Sequence, residues 1–375
     1  MKMRGFRRVF IYHSPQYPGY TCWCGLWNMP DDSAMCSFTQ ATGPFRDRLR
    51  APENVRCTLA WPPEGHGEEY DMTGLHLQNV HLRSVDAGET WTFAGSDDFR
   101  SCMNGTTGEA EEALADGTIL RGVWGRYLPY DAVPQDGYME RSNDGGRIWS
   151  GPELVNDDES RMFWPKRIRL LRDGRLLTGG GFYVRHSERD TRPHWTDDFF
   201  PALFVSDDSG GTWSGPIQVV PDAGLEDFRL TEEFDWAELD DGDLLLILRA
   251  GVEEGRLQTR LRRTGSTWET TSLEPAGLPY SGHPELLKTR EGGILHVATT
   301  GISCTRDEGR TWCDLRIEDG LAELRKEPAV PYYPKSVQLA NGEILIVGHV
   351  GGDNGYGSVD QSIVGVRFFL EESEV

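Results

Sequence analysis

Acids, bases and aromatic rings recur in this chain at a fixed distance from one repeated turn. Six short turns, Asp31-Asp32, Asp116-Gly117, Asp173-Gly174, Asp241-Gly242, Gly292-Gly293 and Asn341-Gly342, each separate two stretches of alternating apolar residues. Counting about eight residues back from the turns reaches Trp23, Glu233 and Tyr333, and about eight forward reaches Trp124, Arg249 and His349. Within one or two residues of such positions stand Glu109, Glu111, Lys166, Arg167, Asp235, His283 and Lys335. Carboxyl and imidazole groups move protons, cations hold polar or acidic groups, and flat rings pack on sugar faces. Gathered in one concavity, these types suit carbohydrate chemistry.

The elements that must gather them follow from the turns. Asp-Gly and Asn-Gly between alternating apolar segments are the strongest short hairpin signal, so each turn joins the first two strands of a unit. A second repeat runs out of phase: SVDAGETW (84–91), SNDGGRIW (142–149), SDDSGGTW (206–213) and TRDEGRTW (305–312). Each reads as a hairpin tip in which Asp accepts local backbone N–H groups, Gly takes positive φ and Trp buries its ring. Asp86, Asp144, Asp208 and Asp307 are therefore structural, with few lone pairs left for chemistry. A worn copy, RTGSTW (263–268), lacks the Asp.

Six hairpins with these tips describe an all-β, six-bladed β-propeller of four-stranded antiparallel blades, one domain over residues 1–375. The last blade closes by pairing DQSIVGVRFFL with FRRVFIYH. In an up-and-down blade both kinds of turn share one end, so the candidate residues converge around the axis at the other.

The Asp-centred turn resembles the Asp box of the sialidase-like β-propellers, a group that includes sialidases, other glycan-cleaving enzymes and receptor propellers without activity. EFDWAELDDGDLLLILR is similar to the stretch that in sialidases carries the glutamate activating a nucleophilic tyrosine and, further on, an arginine, which implies those roles for Glu233 and Arg249. YPKSVQLANG resembles the tyrosine strand and implies Tyr333 as nucleophile, with Tyr332 turned the other way. The family's acid/base stretch corresponds to residues that supply Asp97, Asp98, Glu109 and Glu111, of which Glu109 and Glu111 lie nearer the first strand of their blade. Two family arginines that hold a sialic acid carboxylate are missing: TCWCGLW puts Cys22 or Trp23 at one, and VATTGISC has none at the other. The resemblance and its departures together lead to the expectation of a retaining glycoside hydrolase for a glycan other than ordinary sialosides, with Arg249 and either Lys166 or Arg167 on polar or acidic sugar groups; Trp23, Trp27 and Trp124 offer flat apolar faces for sugar rings.

Two readings stand beside it. His283 or His349 with Tyr333 suits β-elimination from a uronate polysaccharide, and the missing arginines suit a propeller that binds a glycan or protein without turning it over. A sugar ligand is expected in each enzymatic reading. The balance of 38 basic against 60 acidic residues, a formal charge of −22, argues against nucleic acid and anionic membranes as partners. The start MKMRGFRRVFIYHSP lacks the apolar run of a signal peptide, which leads to the expectation of a cytoplasmic protein. Seven cysteines without metal-ligand spacing read as reduced thiols, and the reading calls for no cofactor and no metal; Asp353 and Asp360 do not fit an EF-hand loop.

Overall fold

The computed structural model describes residues 1–16, 20–44, 47–49, 74–98, 110–123, 136–184, 199–221, 230–251, 255–278, 282–315, 330–351 and 361–372. They form twenty-four strands and, among the described residues, no helix. The strands group into six four-stranded antiparallel sheets, the blades of a propeller, as the turn spacing predicts. Blade one is β2–β5, with β2 at Tyr20–Asn28 and β3 at Ala34–Thr42. Blade two is β6–β9, opening with β6 (Glu111–Ala113). Blade three, β10–β13, opens with β10 (Arg161–Leu170), and blade four, β14–β17, with β14 (Leu230–Glu238) and β15 (Leu244–Ala250). Blade five is β18 (Glu285–Lys288), β19 (Ile294–Ala298), β20 (Gly301–Thr305) and β21 (Cys313–Asp314), and blade six orders β22 (Tyr332–Gln338), β23 (Ile344–Gly351), β24 (Gln361–Glu371) and β1 (Lys2–His13).

The first strand thus completes the last blade, with Lys2 opposite Glu371 and His13 opposite Ser362. Closure leaves no blade without two neighbours, so the face of each blade is covered and only its short outer edge remains. Strand β15 lies inside its blade, and Leu244 to Leu248 are all buried. Burying a Leu or Ile contributes roughly 1.5–3 kcal/mol each, which is why this run carries no alternation of polar residues.

The Asp-centred turns do what their residues dictate. Asp208 Oδ1 accepts the Thr212 N–H and the Ser206 hydroxyl, each at 2.8 Å, and its Oδ2 accepts the Thr212 hydroxyl at 2.8 Å. These donors hold the Asp208 carboxyl down at about 2. In the second turn Ile148 has no hydroxyl to give, and Asp144 takes the Arg147 and Ile148 N–H groups at 3.0 and 2.9 Å.

Candidate functional site

Four innermost strands break register at the end of the axis opposite the turns. In blades one and six the residue pairs Trp23–Cys24 and Tyr333–Pro334 each oppose a single residue, and in blade three Lys166 is the extra residue between Pro165 and Arg167. In blade four Thr231, Glu232 and Glu233 together oppose Arg249. A bulge adds residues to one strand and re-aims side chains, so these irregularities turn Trp23, Lys166, Glu232, Glu233 and Tyr333 away from regular alternation. Trp23 and Tyr333 adopt φ of 48° and 49°. Left-handed backbone in an aromatic residue costs about 1–3 kcal/mol and persists where the surroundings enforce it.

The bulges bring Tyr333 to Glu233. The phenol Oη donates to Glu233 Oε1 at 3.4 Å, and Arg249 Nη1 donates to the other oxygen, Oε2, at 2.5 Å. Burial pushes the Glu233 carboxyl up, but the Arg249 and Lys166 cations more than offset it and keep it below its ordinary range. The Glu233 charge in turn raises Arg249.

Rings enclose the phenol. His349 stacks on Tyr333 at 6.0 Å between centroids and 15° between planes, His283 lies 5.7 Å away at a tilt, and Trp23 presents an edge at 6.3 Å. Burial lowers His349 to about 4. Burial first, then the Lys335 and Lys166 charges, takes His283 well below its ordinary value. Both rings are neutral at pH 7. Tyr332, expected to face away from Tyr333, also packs on His349, at 6.1 Å.

Two further groups join this end. Glu232 meets Lys166 of blade three at 3.6 Å. Arg256, 1 % exposed, is the register partner of Arg249 and is lowered to about 10, mainly by burial. Sequence reasoning missed both. The two extra residues of the blade-four bulge upset a fixed count of eight, and Arg256 lies on a third strand that the count never visits.

Arg167, Asp235 and Lys335 belong to a polar plug across the axis. Arg167 bonds Glu285 of blade five at 2.9 Å and approaches Asp235 at 3.4 Å. Asp235 accepts from Arg169 through both oxygens, at 3.1 and 2.5 Å, and from the Leu286 N–H at 2.7 Å. Glu285 takes the Ser336 N–H and hydroxyl at 2.8 and 2.7 Å, with Lys335 4.0 Å off. Such a network pairs buried charges between blades, though among the described residues Arg167 Nε donates no hydrogen bond within it and Glu285 Oε2 accepts none.

The carboxyls expected in or before blade two are placed differently. Glu111 accepts the Ser37 hydroxyl at 2.6 Å and lies under Gly25, where an added Cβ would stand 2.3 Å from its Oε2. Asp97 is held ionised by both terminal nitrogens of Arg121, at 2.9 and 2.8 Å, and by His81 at 3.1 Å. Trp27 is core, packed on Met35, Ala113 and Ile119, rather than a sugar platform. Glu109, Trp124, Asp353 and Asp360 lie outside the described residues.

The sequence matches no protein-family model and no curated protein. Solved structures do match over nearly their whole length. A Dyadobacter fermentans protein of unknown function is 20 % identical with a TM-score of 0.64, covering 98 % of this chain and 100 % of its own. The intramolecular trans-sialidase of Ruminococcus gnavus, in complex with oseltamivir carboxylate, is 12 % identical with a TM-score of 0.62, covering 98 % of both chains. The GH93 α-L-arabinofuranosidase of Fusarium graminearum, in complex with arabinobiose, is 12 % identical with a TM-score of 0.57, again covering 98 % of both. The fold is the sialidase-like β-propeller. Identities this low speak for the fold alone, and one sialidase-like propeller can differ from another in every residue that touches a ligand.

Proposed function

We propose that the protein is a glycoside hydrolase that works with retention on a glycan other than an ordinary sialoside. The observation that carries the reading is the contact of Tyr333 Oη with Glu233 Oε1 at 3.4 Å, with Arg249 on the opposite oxygen. Tyr333 attacks the anomeric carbon while its proton passes to Glu233, and the glycosyl–tyrosine bond is then cleaved by water. A phenol is neutral before attack, so it meets an acidic sugar without charge repulsion. Arg249, its register partner Arg256 and Lys166 of blade three supply positive charge for polar or acidic substituents. The family arginine that would fall at Cys22 or Trp23 is missing, which supports the choice of a substrate other than sialic acid.

The neutral His283 and His349 rings on either side of Tyr333 favour a second reading, elimination from a uronate glycan with a histidine as base. Product analysis on sialosides, arabinosides, neutral oligosaccharides and uronate oligosaccharides separates the two. New reducing ends without ultraviolet absorbance of unsaturated uronate support hydrolysis, whereas both signals together support elimination. Silence across the panel favours a propeller that binds without turnover.

A further inference from the structure

We propose that Glu232 is the acid/base group of this site, donating a proton to the departing glycosidic oxygen. The proposal rests on the hydrolase reading. Its ground is the bulge of blade four, which sends two consecutive carboxyls to different neighbours: Glu233 across the axis to Tyr333 of blade six, and Glu232 to Lys166 of blade three. A glycoside lying over Tyr333 with its leaving group towards blade three has the scissile oxygen beside Glu232.

The described carboxyls expected from the sequence and those packed on the axis are already committed. Glu233 holds Arg249, Asp235 holds Arg169 and the Leu286 N–H, Glu285 holds Arg167 and Ser336, Asp97 holds Arg121, and Glu111 accepts from Ser37. Glu232 differs: it is 5 % exposed, Lys166 stands 3.6 Å away, and among the described residues no other side chain donates a hydrogen bond to it. Burial, only partly opposed by Lys166 and reinforced by the neighbouring Glu233 charge, pushes its carboxyl up. Two adjacent carboxyls driven apart in this way are the pattern of an acid beside a base.

The first step then balances. The Glu232 proton moves to the glycosidic oxygen as the bond from that oxygen to the anomeric carbon breaks, the bond from Tyr333 Oη to the anomeric carbon forms, and the phenol proton moves to Glu233. In the second step the Glu232 carboxylate takes a proton from water, the water oxygen bonds to the anomeric carbon, and Tyr333 leaves with the proton returned by Glu233.

Phenyl and 2,4-dinitrophenyl glycosides of each sugar in the panel test this. Glu232→Gln is expected to slow glycosyl transfer from the phenyl glycoside by about 10²–10⁴-fold while sparing the burst from the dinitrophenyl glycoside, whose leaving group needs no proton. Azide is expected to restore turnover of the dinitrophenyl substrate. Equal losses on both leaving groups would overturn the role of Glu232 alone, whereas a wild-type chain silent on every glycoside would sink the hydrolase reading and this role with it. Should Glu232→Gln fail to fold, Lys166→Met decides: loss of the neighbouring cation is expected to move the alkaline limb of kcat/KM to higher pH, and an unmoved limb overturns the proposal.

Discussion

Trp23 and Tyr333 occupy the same station in adjacent blades, each turned to positive φ by a bulge in an innermost strand, and they meet edge to face at 6.3 Å. The seam between blades one and six is thus built from two matching irregularities. One side contributes the Tyr333 phenol and the other the ring that limits where it can swing.

Tyr333→Phe keeps that packing and removes only the hydroxyl. Turnover of whichever glycoside the panel identifies is expected to fall by at least 10²–10³-fold with the thermal midpoint unchanged. Near-normal turnover would remove Tyr333 from the chemistry.

Gly348 lies opposite the Tyr333 bulge, and a Cβ there would sit 2.4 Å from the Tyr332 carbonyl oxygen. Backbone cannot yield as a side-chain tip can, so Gly348→Ala should push the bulge aside. Displacement of a reacting atom by about 1 Å can cost on the order of 10²-fold. The expected outcome is a kcat loss of that order at near-constant KM; an unchanged kcat would show that the bulge does not set the position of Tyr333.

Arg249→Met takes the nearest cation from Glu233. Because that cation helps hold the carboxyl below its ordinary range, its loss should raise the Glu233 pKa and move the acidic limb of kcat/KM to higher pH. A limb that stays in place would mean that Glu233 is not the group whose ionisation the rate follows.

Acid sensitivity of the fold should begin well above the carboxylate range. His283, His296 and His349 are all lowered below the ordinary imidazole value, and for His349 the window between about pH 6.5 and 4 is one in which the unfolded chain binds a proton that the folded chain does not. Stability therefore falls as pH falls through that window, by about 1.4 kcal/mol per pH unit for each such group. His349→Phe, which keeps a ring on Tyr333, should make the slope of unfolding free energy against pH shallower there. An unchanged slope would show that His349 is protonated in the folded state.

Asp208→Ala removes the acceptor that closes one hairpin tip, at the end of the blade away from the site. The expected cost is a midpoint lower by about 2–4 °C with activity per folded molecule intact. Since the folded Asp208 carboxyl titrates near 2, its stabilisation is present above about pH 4 and is lost as pH falls towards 2. Intact stability with lost activity would put the turns and the site on the same face.

The architecture was legible because hairpin turns are local chemistry: Asp241-Gly242 announces its geometry without reference to any other blade. Tyr333, Glu233 and Arg249 could be placed at one end of the axis because offset from a turn measures height, even where a bulge then re-aims the side chain. The same arithmetic failed where regularity fails. Glu232 falls inside a two-residue bulge, and a bulge is decided by packing against neighbouring blades rather than by its own residues. Asp235 and Lys335 were read at the right height as ligand contacts, yet they sit in ion pairs between blades, a matter of which way each side chain leans. Glu111 likewise turns into the seam with blade one, against Ser37.

The pairing of β1 with β24 has a consequence for how the molecule comes into being. Lys2 has to wait for Glu371 before blade six is whole, and Tyr333 cannot meet Glu233 until that blade docks. Contacts so distant along the chain form late, so the early-made blades wait as an unsealed arc while synthesis finishes. Mechanical load applied to the two partnered strands would unzip β1, the outermost strand of blade six, before it reached β22, which carries Tyr333.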